Sequence, residues 1–149
     1  MRAFRGVARV ARLLLWLGAR MPTASSASIH VTVIAESAQT IDGLHAYLDG
    51  AGVASHAGRT LRDATKVPSK STALVIFPDE FAVDDVVTTL TSLRTARPRL
   101  LILIVTGAPQ RFRPALEPDG RSLPPVVLPK PAFGWTILDA IRAHASASR

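Results

Sequence analysis

The chain has 149 residues, 48% of them hydrophobic and 19% charged, the balance of a globular protein with a core of its own and not of a disordered chain. It contains no cysteine, which excludes a disulfide framework, a thiolate metal site and a cysteine nucleophile together. The formal net charge is +7, but residues 2–20 hold five arginines and no acid, leaving +2 for the rest, too little for the basic surface of a nucleic-acid-binding domain.

Those arginines are Arg2, Arg5, Arg9, Arg12 and Arg20, set among Val7, Val10, Leu13, Leu14, Leu15, Trp16 and Leu17. The apolar run is far shorter than the ~20 residues needed to span a bilayer and sits at the lower limit for a secretory signal. Three readings follow: a basic amphipathic segment resting on an anionic membrane surface or a partner, a weak export signal, or sequence upstream of a natural start at Met21. The last is preferred, with residues 1–28 set apart as a leader and 29–146 taken as the folded domain.

Ile29 to Ala35 is a β-branched first strand ending at Glu36. Thr40 is expected to cap a helix carrying Ile41, Leu44, Tyr47 and Leu48 at helical spacing, ended by Gly50 and Gly52. Val53 to Ala57 is polar enough for an edge strand. Thr60 to Val67 predicts a short helix closed by Pro68. Ala73 to Phe77 is an unbroken apolar run stopped by Pro78, Asp79 and Glu80, the pattern of a strand buried on both faces of a parallel sheet. Asp84 and Asp85 suit the first turn of a helix, whose buried stripe is Val83, Val86, Val87, Leu90 and Leu93.

Leu100 to Val105 is a second fully buried strand and leads into Thr106-Gly107. Five prolines between Pro109 and Pro125 leave room for at most one or two helical turns around Gln110 to Leu116. Val126 to Leu128 is a short last strand running into Lys130-Pro131. Trp135, Ile137, Leu138, Ile141 and Arg142 mark the final helix. Alternating strands and helices predict a five-stranded parallel sheet, with reactive groups gathered just past the strand ends.

Those strand ends resemble the receiver domain of bacterial two-component response regulators, over roughly Ile29 to Ala145. The resemblance implies a doubly wound α/β fold of flavodoxin-like order 2-1-3-4-5, with the fourth helix shortened or broken. Glu36 matches the second member of the family's acidic pair, while Ala35 stands in place of the first. Pro78 falls at the phosphoacceptor position, with Asp79 one residue later. Thr106 matches the hydroxyl residue after the fourth strand, and Lys130-Pro131 the Lys-Pro after the fifth, with the cis bond usual in the family. Val127 replaces the family's switch aromatic.

An aspartyl phosphate needs a carboxylate nucleophile and a divalent cation to offset phosphoryl charge, and only Glu36 remains in register to hold Mg2+. One step along a strand turns a side chain to the other face, so Asp79 and Glu80 are expected to be solvated loop residues or to begin the following helix, unless a bulge or turn at Pro78 redirects Asp79. Thr106 and Lys130 also have plain structural roles, a satisfied strand end and an ion pair with Glu36 or Asp79.

Other signals carry less. Gly50-Ala51-Gly52 follows a helix and lacks the third glycine of a dinucleotide loop. His30, His45, His56 and His144 fall at no metal-ligand spacing. Arg111, Arg113 and Arg121 fit a solvated loop better than a site for an acidic partner.

The function expected is that of a degenerate receiver: a cytoplasmic, non-enzymatic signalling module without a cofactor. It would meet a histidine kinase or output protein through residues 108–146, independently of phosphorylation. Two alternatives stand beside it. One is an active single-domain regulator phosphorylated on Asp79 with Mg2+. The other is a small α/β nucleotide-binding or enzyme module, which the lack of a glycine-rich phosphate loop disfavours.

Overall fold

A computed structural model describes residues 29–147, so the readings made for residues 1–28 lie outside it. Five strands, β1 (His30–Ile34), β2 (Ala54–Gly58), β3 (Ala73–Ile76), β4 (Leu101–Thr106) and β5 (Val126–Pro129), form one sheet in the order β2-β1-β3-β4-β5. All four pairings are parallel. The fold class expected from the alternating pattern is therefore the one observed. Ile34, Ile76 and Ile104 pair across the three central strands, which fixes their carboxyl ends at one rim.

Each strand sends alternate residues to opposite faces, and two cores result. On one face Val31, Val33, Val75, Leu103 and Val105 pack under α1 (Ala38–Gly50) and α4 (Gly134–Ala147), which contribute Leu44, Leu48, Ile137, Leu138 and Ile141. On the other, Ile34, Leu74, Ile76, Ile102 and Ile104 pack under α2 (Leu61–Ala64) and α3 (Val83–Ala96). Val86, Leu90 and Leu93 form the buried stripe of α3, and Asp84 and Asp85 fill its first turn as expected.

Helix boundaries correct the sequence reading in two places. Ser37, not Thr40, caps α1, and its hydroxyl accepts from the Thr40 N–H at 3.3 Å; the helix can then begin right at the strand end. α2 is only four residues long, held by a capping box in which Thr60 Oγ1 and the Asp63 carboxylate each accept from the other's backbone N–H. Asp63 lies so close to Gly58 that a Cβ at position 58 would stand 2.3 Å from the Asp63 Cβ, so only glycine closes β2 there. Trp135 and Tyr47, grouped by spacing with the buried helix positions, are instead 56% and 40% exposed.

The segment between β4 and β5 is short of α-helix, as its prolines foretell. Pro109–Ala115 winds as a 3-10 segment that buries Phe112 completely. What holds the rest is Arg94, at the last turn of α3. Its guanidinium donates to the carbonyls of Ala115 (3.0 Å) and Glu117 (2.8 Å) and to Ser122 Oγ (3.0 Å), and stands 3.6 Å from Asp119. Asp119 in turn accepts the Arg121 and Ser122 N–H groups and the Ser122 hydroxyl. The Ser122 N–H, followed by these others, keeps its carboxyl far below the usual carboxylate range. Arg97, one residue past α3, makes a similar tie to the carbonyls of Val67, Ser69 and Ser71 ahead of β3.

Candidate functional site

The carboxyl rim of the sheet is built by three short connections. After β3 the chain turns through a 3-10 turn, Pro78–Glu80, that starts on the buried Pro78. Proline suits that first position, since its fixed φ and missing N–H cost nothing there. The turn breaks strand alternation, so the residue after Pro78 does not flip to the far face. This is a correction: Asp79 is not a solvated loop residue but points along the rim toward β4 and β5.

There its two carboxylate oxygens are divided among three donors. Oδ1 accepts the Thr106 hydroxyl; Oδ2 accepts the Gly107 N–H at 3.0 Å and lies 3.1 Å from Lys130 Nζ. Thr106 is fully buried and its oxygen also accepts the Ala108 N–H at 3.0 Å, so the hydroxyl is used in both directions. Lys130 is brought into reach because β5 pairs with β4 up to Thr106–Pro129, and its N–H donates to the Thr106 carbonyl at 3.3 Å. The bond between Lys130 and Pro131 is cis, as the resemblance implies. Partial burial pushes the Asp79 carboxyl upward, but the Gly107 N–H, the Thr106 hydroxyl and the Lys130 ammonium outweigh it and leave its pKa below the ordinary value. Charge-assisted bonds of this kind favour the ionised form.

The other residues singled out by sequence are placed apart from this cluster. Ala35 is completely buried and offers no ligand, while Glu36 is exposed and its carbonyl accepts from Arg59 Nε at 2.9 Å. Glu36 lines a groove of about 770 Å³ with Lys130, between α1 and the turn into α4, whose wall does not include Asp79. Val127, in the place of the switch aromatic, is half-buried opposite Ile104. Among the described residues no three His, Cys, Asp or Glu side chains gather as a metal-ligand group. Both Asp79 oxygens already accept donors within the protein, and the exposed Glu36 and Glu80 line the neighbouring groove without gathering around it, so the residues present do not fit a Mg2+ ion.

Sequence reasoning did not pick out Gly107, whose N–H completes the Asp79 cradle, nor Arg94. Gly107 had a signal, being the residue after a buried strand end with its hydroxyl. Arg94 had none, since a basic side chain in a last helical turn ordinarily answers the helix dipole.

Solved structures give the comparison. A response regulator receiver protein from Sinorhizobium medicae WSM419 aligns with TM-score 0.66 at 16% identity, over 81% of this chain and 97% of that one. A response regulator receiver domain protein (CheY-like) from Methanospirillum hungatei JF-1 gives 0.65 at 14%, over 80% and 94%. The chain has the receiver fold. A putative pilus assembly-related protein from Burkholderia pseudomallei K96243 has it too, with TM-score 0.63 at 18% identity over 81% and 92%. No protein-family model and no curated protein matches the chain. Within the receiver fold, the Asp79 cluster lies at the strand ends where such α/β sheets place their chemistry, and among the described residues no helix is long and apolar enough to cross a membrane.

Proposed function

We propose that this receiver fold serves two-component-type signal transduction as a cytoplasmic, non-enzymatic binding module whose active shape does not wait for phosphorylation. One observation carries the reading: both oxygens of the only carboxylate in the Thr106–Lys130 cluster are already bonded to donors within the protein. A carboxylate attacks phosphorus with a free lone pair and needs a cation opposite to gather the phosphoryl charge. Here Oδ2 already holds two donors and Oδ1 one, the ammonium is paired, and Ala35 contributes no second acid. Asp79 then acts as a tie joining the ends of β3, β4 and β5, the job a phosphoryl group would otherwise be needed to do. The partner in this reading is a histidine kinase or an output protein.

The convergence of Asp79 on Thr106 and Lys130 also favours a second reading, an active regulator phosphorylated on Asp79. One experiment separates the two. The protein is incubated with Mg2+ and acetyl phosphate or beryllofluoride, and the amide resonances of Thr106, Gly107 and Lys130 are followed. The first reading expects no site-specific shift and no covalent phosphate by intact mass. Shifts at those amides that disappear in Asp79→Asn would establish the second.

A further inference from the structure

The carboxyl rim of the sheet carries both signs of charge, Glu36, Asp79 and Glu80 with Arg59 and Lys130. A second pocket, at the amino rim where β3 and β4 begin, carries one sign only. It measures about 540 Å³ and lies among the approach to β3, the turn from α3 into β4 and the last turns of α4. Its wall holds Arg97 and Arg99, together with His144 of α4, and no acid. The apolar part of the wall is Leu100, Leu101 and Ile141, all buried.

The charge of these arginines is not answered within the protein. Arg97 donates to the carbonyls of Val67, Ser69 and Ser71, neutral acceptors that fix the guanidinium without cancelling its charge and leave part of its N–H complement unused. Arg99 is exposed, and neither arginine has an ion pair with a carboxylate among the described residues. The carboxyl ends of α3 and α4 reach this rim and bring roughly half a negative charge each, which two full cations exceed. Lys70 and Arg142, each next in sequence to a wall residue, add to the excess.

The two arginines also spring from a constrained turn. Arg97 caps the end of α3, and Pro98 between them fixes one backbone torsion. The Leu100 N–H donates to the Arg97 carbonyl at 3.0 Å and the Leu123 N–H to the Pro98 carbonyl at 2.9 Å. A turn held in this way loses little freedom when a ligand binds, which is how preorganisation raises affinity.

We propose that the amino-rim pocket binds a small organic phosphate, its phosphoryl group between Arg97 and Arg99 and its apolar body against Leu100, Leu101 and Ile141. Two guanidiniums without a carboxylate match the nearly double negative charge of a phosphomonoester at neutral pH better than the single charge of a monocarboxylate. The volume falls within the roughly 300–1,000 Å³ of small-molecule sites. The pocket is at the opposite end of the sheet from Asp79, so this binding involves no phosphoryl transfer and is independent of the signalling reading.

The test is an NMR titration of the full chain with phenyl phosphate, benzoate and inorganic phosphate. Phenyl phosphate should saturate with a Kd of about 1 mM and shift amides within residues 69–72, 99–101 and 141–145. Benzoate keeps the ring with a single charge, and inorganic phosphate keeps the charge without the ring; each should bind about fivefold more weakly or worse. Arg99→Gln should weaken phenyl phosphate about tenfold with the melting temperature unchanged. Ser69→Asp, which sets an acid on the wall, should weaken it further, whereas Arg113→Gln, outside the pocket, should change nothing. Equal binding by Arg99→Gln and the parent overturns the proposal, as do shifts centred outside those three segments. So does benzoate or inorganic phosphate binding as tightly as phenyl phosphate.

Discussion

The two faces of the sheet solve the same problem in opposite ways. Under α2 and α3 the cover is irregular, yet it is closed: Phe112 plugs the core and Arg94 binds the loop through two carbonyls, a hydroxyl and a carboxylate. Under α1 and α4 the cover is two regular helices, yet their seam stays open, with aromatic rings facing solvent. Regularity and closure are thus separate properties. The segment from 108 to 125 departs most from a regular helix, and it is tied down. The better exposed apolar surface within the 108–146 stretch expected to meet a partner is at Phe133 and Trp135.

The sharpest way to break this contrast is to empty the plug. Phe112→Ala should destabilise the protein by about 3–5 kcal/mol, since a fully buried ring is lost and the 3-10 segment cannot refill its space; urea unfolding reads this directly. Next comes the clamp. Arg94→Met keeps the stem but leaves the Ala115 and Glu117 carbonyls short of a charged donor, and a loss of about 2–3 kcal/mol is expected. Amide exchange should quicken across residues 115–123 while α1 is unchanged.

On the open face the expected cost is smaller. Gly134→Ala forces a methyl group into the Tyr47 ring, for about 1–3 kcal/mol of overpacking. Tyr47→Ala in the same chain should recover most of that loss, and a double-mutant cycle measures the coupling. The rim of the sheet supplies the smallest effect. Because the Asp79 carboxyl is lowered in the folded state, its bonds stabilise the protein above the unfolded carboxyl value near 3.9 and are lost as pH falls through the folded one. Asp79→Asn should therefore cost about 1 kcal/mol at neutral pH, part of the gain being screened by solvent, and should flatten the stability curve below about pH 4. Thermal melts from pH 2 to 7 compare the two.

Much of the architecture could be read from residue order. Runs such as Leu101–Val105 and Ala73–Ile76 are branched, unbroken and bounded by proline or polar residues, so both their burial and their parallel pairing follow from local pattern. Three features resisted for a common reason, namely that each depends on where side chains point beyond the end of an element. Asp79 is redirected by one 3-10 turn, which strand alternation cannot anticipate. Arg94 finds its acceptors 21 to 28 residues further on, in a stretch without periodicity. Tyr47 and Trp135 fall at apolar helical positions, yet a residue on the margin of a helical stripe lands outside the core when no neighbour covers it. Ser37 displaced Thr40 as a cap for a simpler reason, since two hydroxyls three residues apart offer the same chemistry and only the strand length chooses between them.

The relay from the Ala108 amide through the Thr106 hydroxyl to Asp79 has a consequence for control. Under the reading proposed here the binding-competent shape does not wait for a phosphoryl group, so apparent affinity is not reduced by an unphosphorylated, non-binding fraction. Output would then track how many copies of the protein are present, and the dial for such a module is its synthesis and turnover.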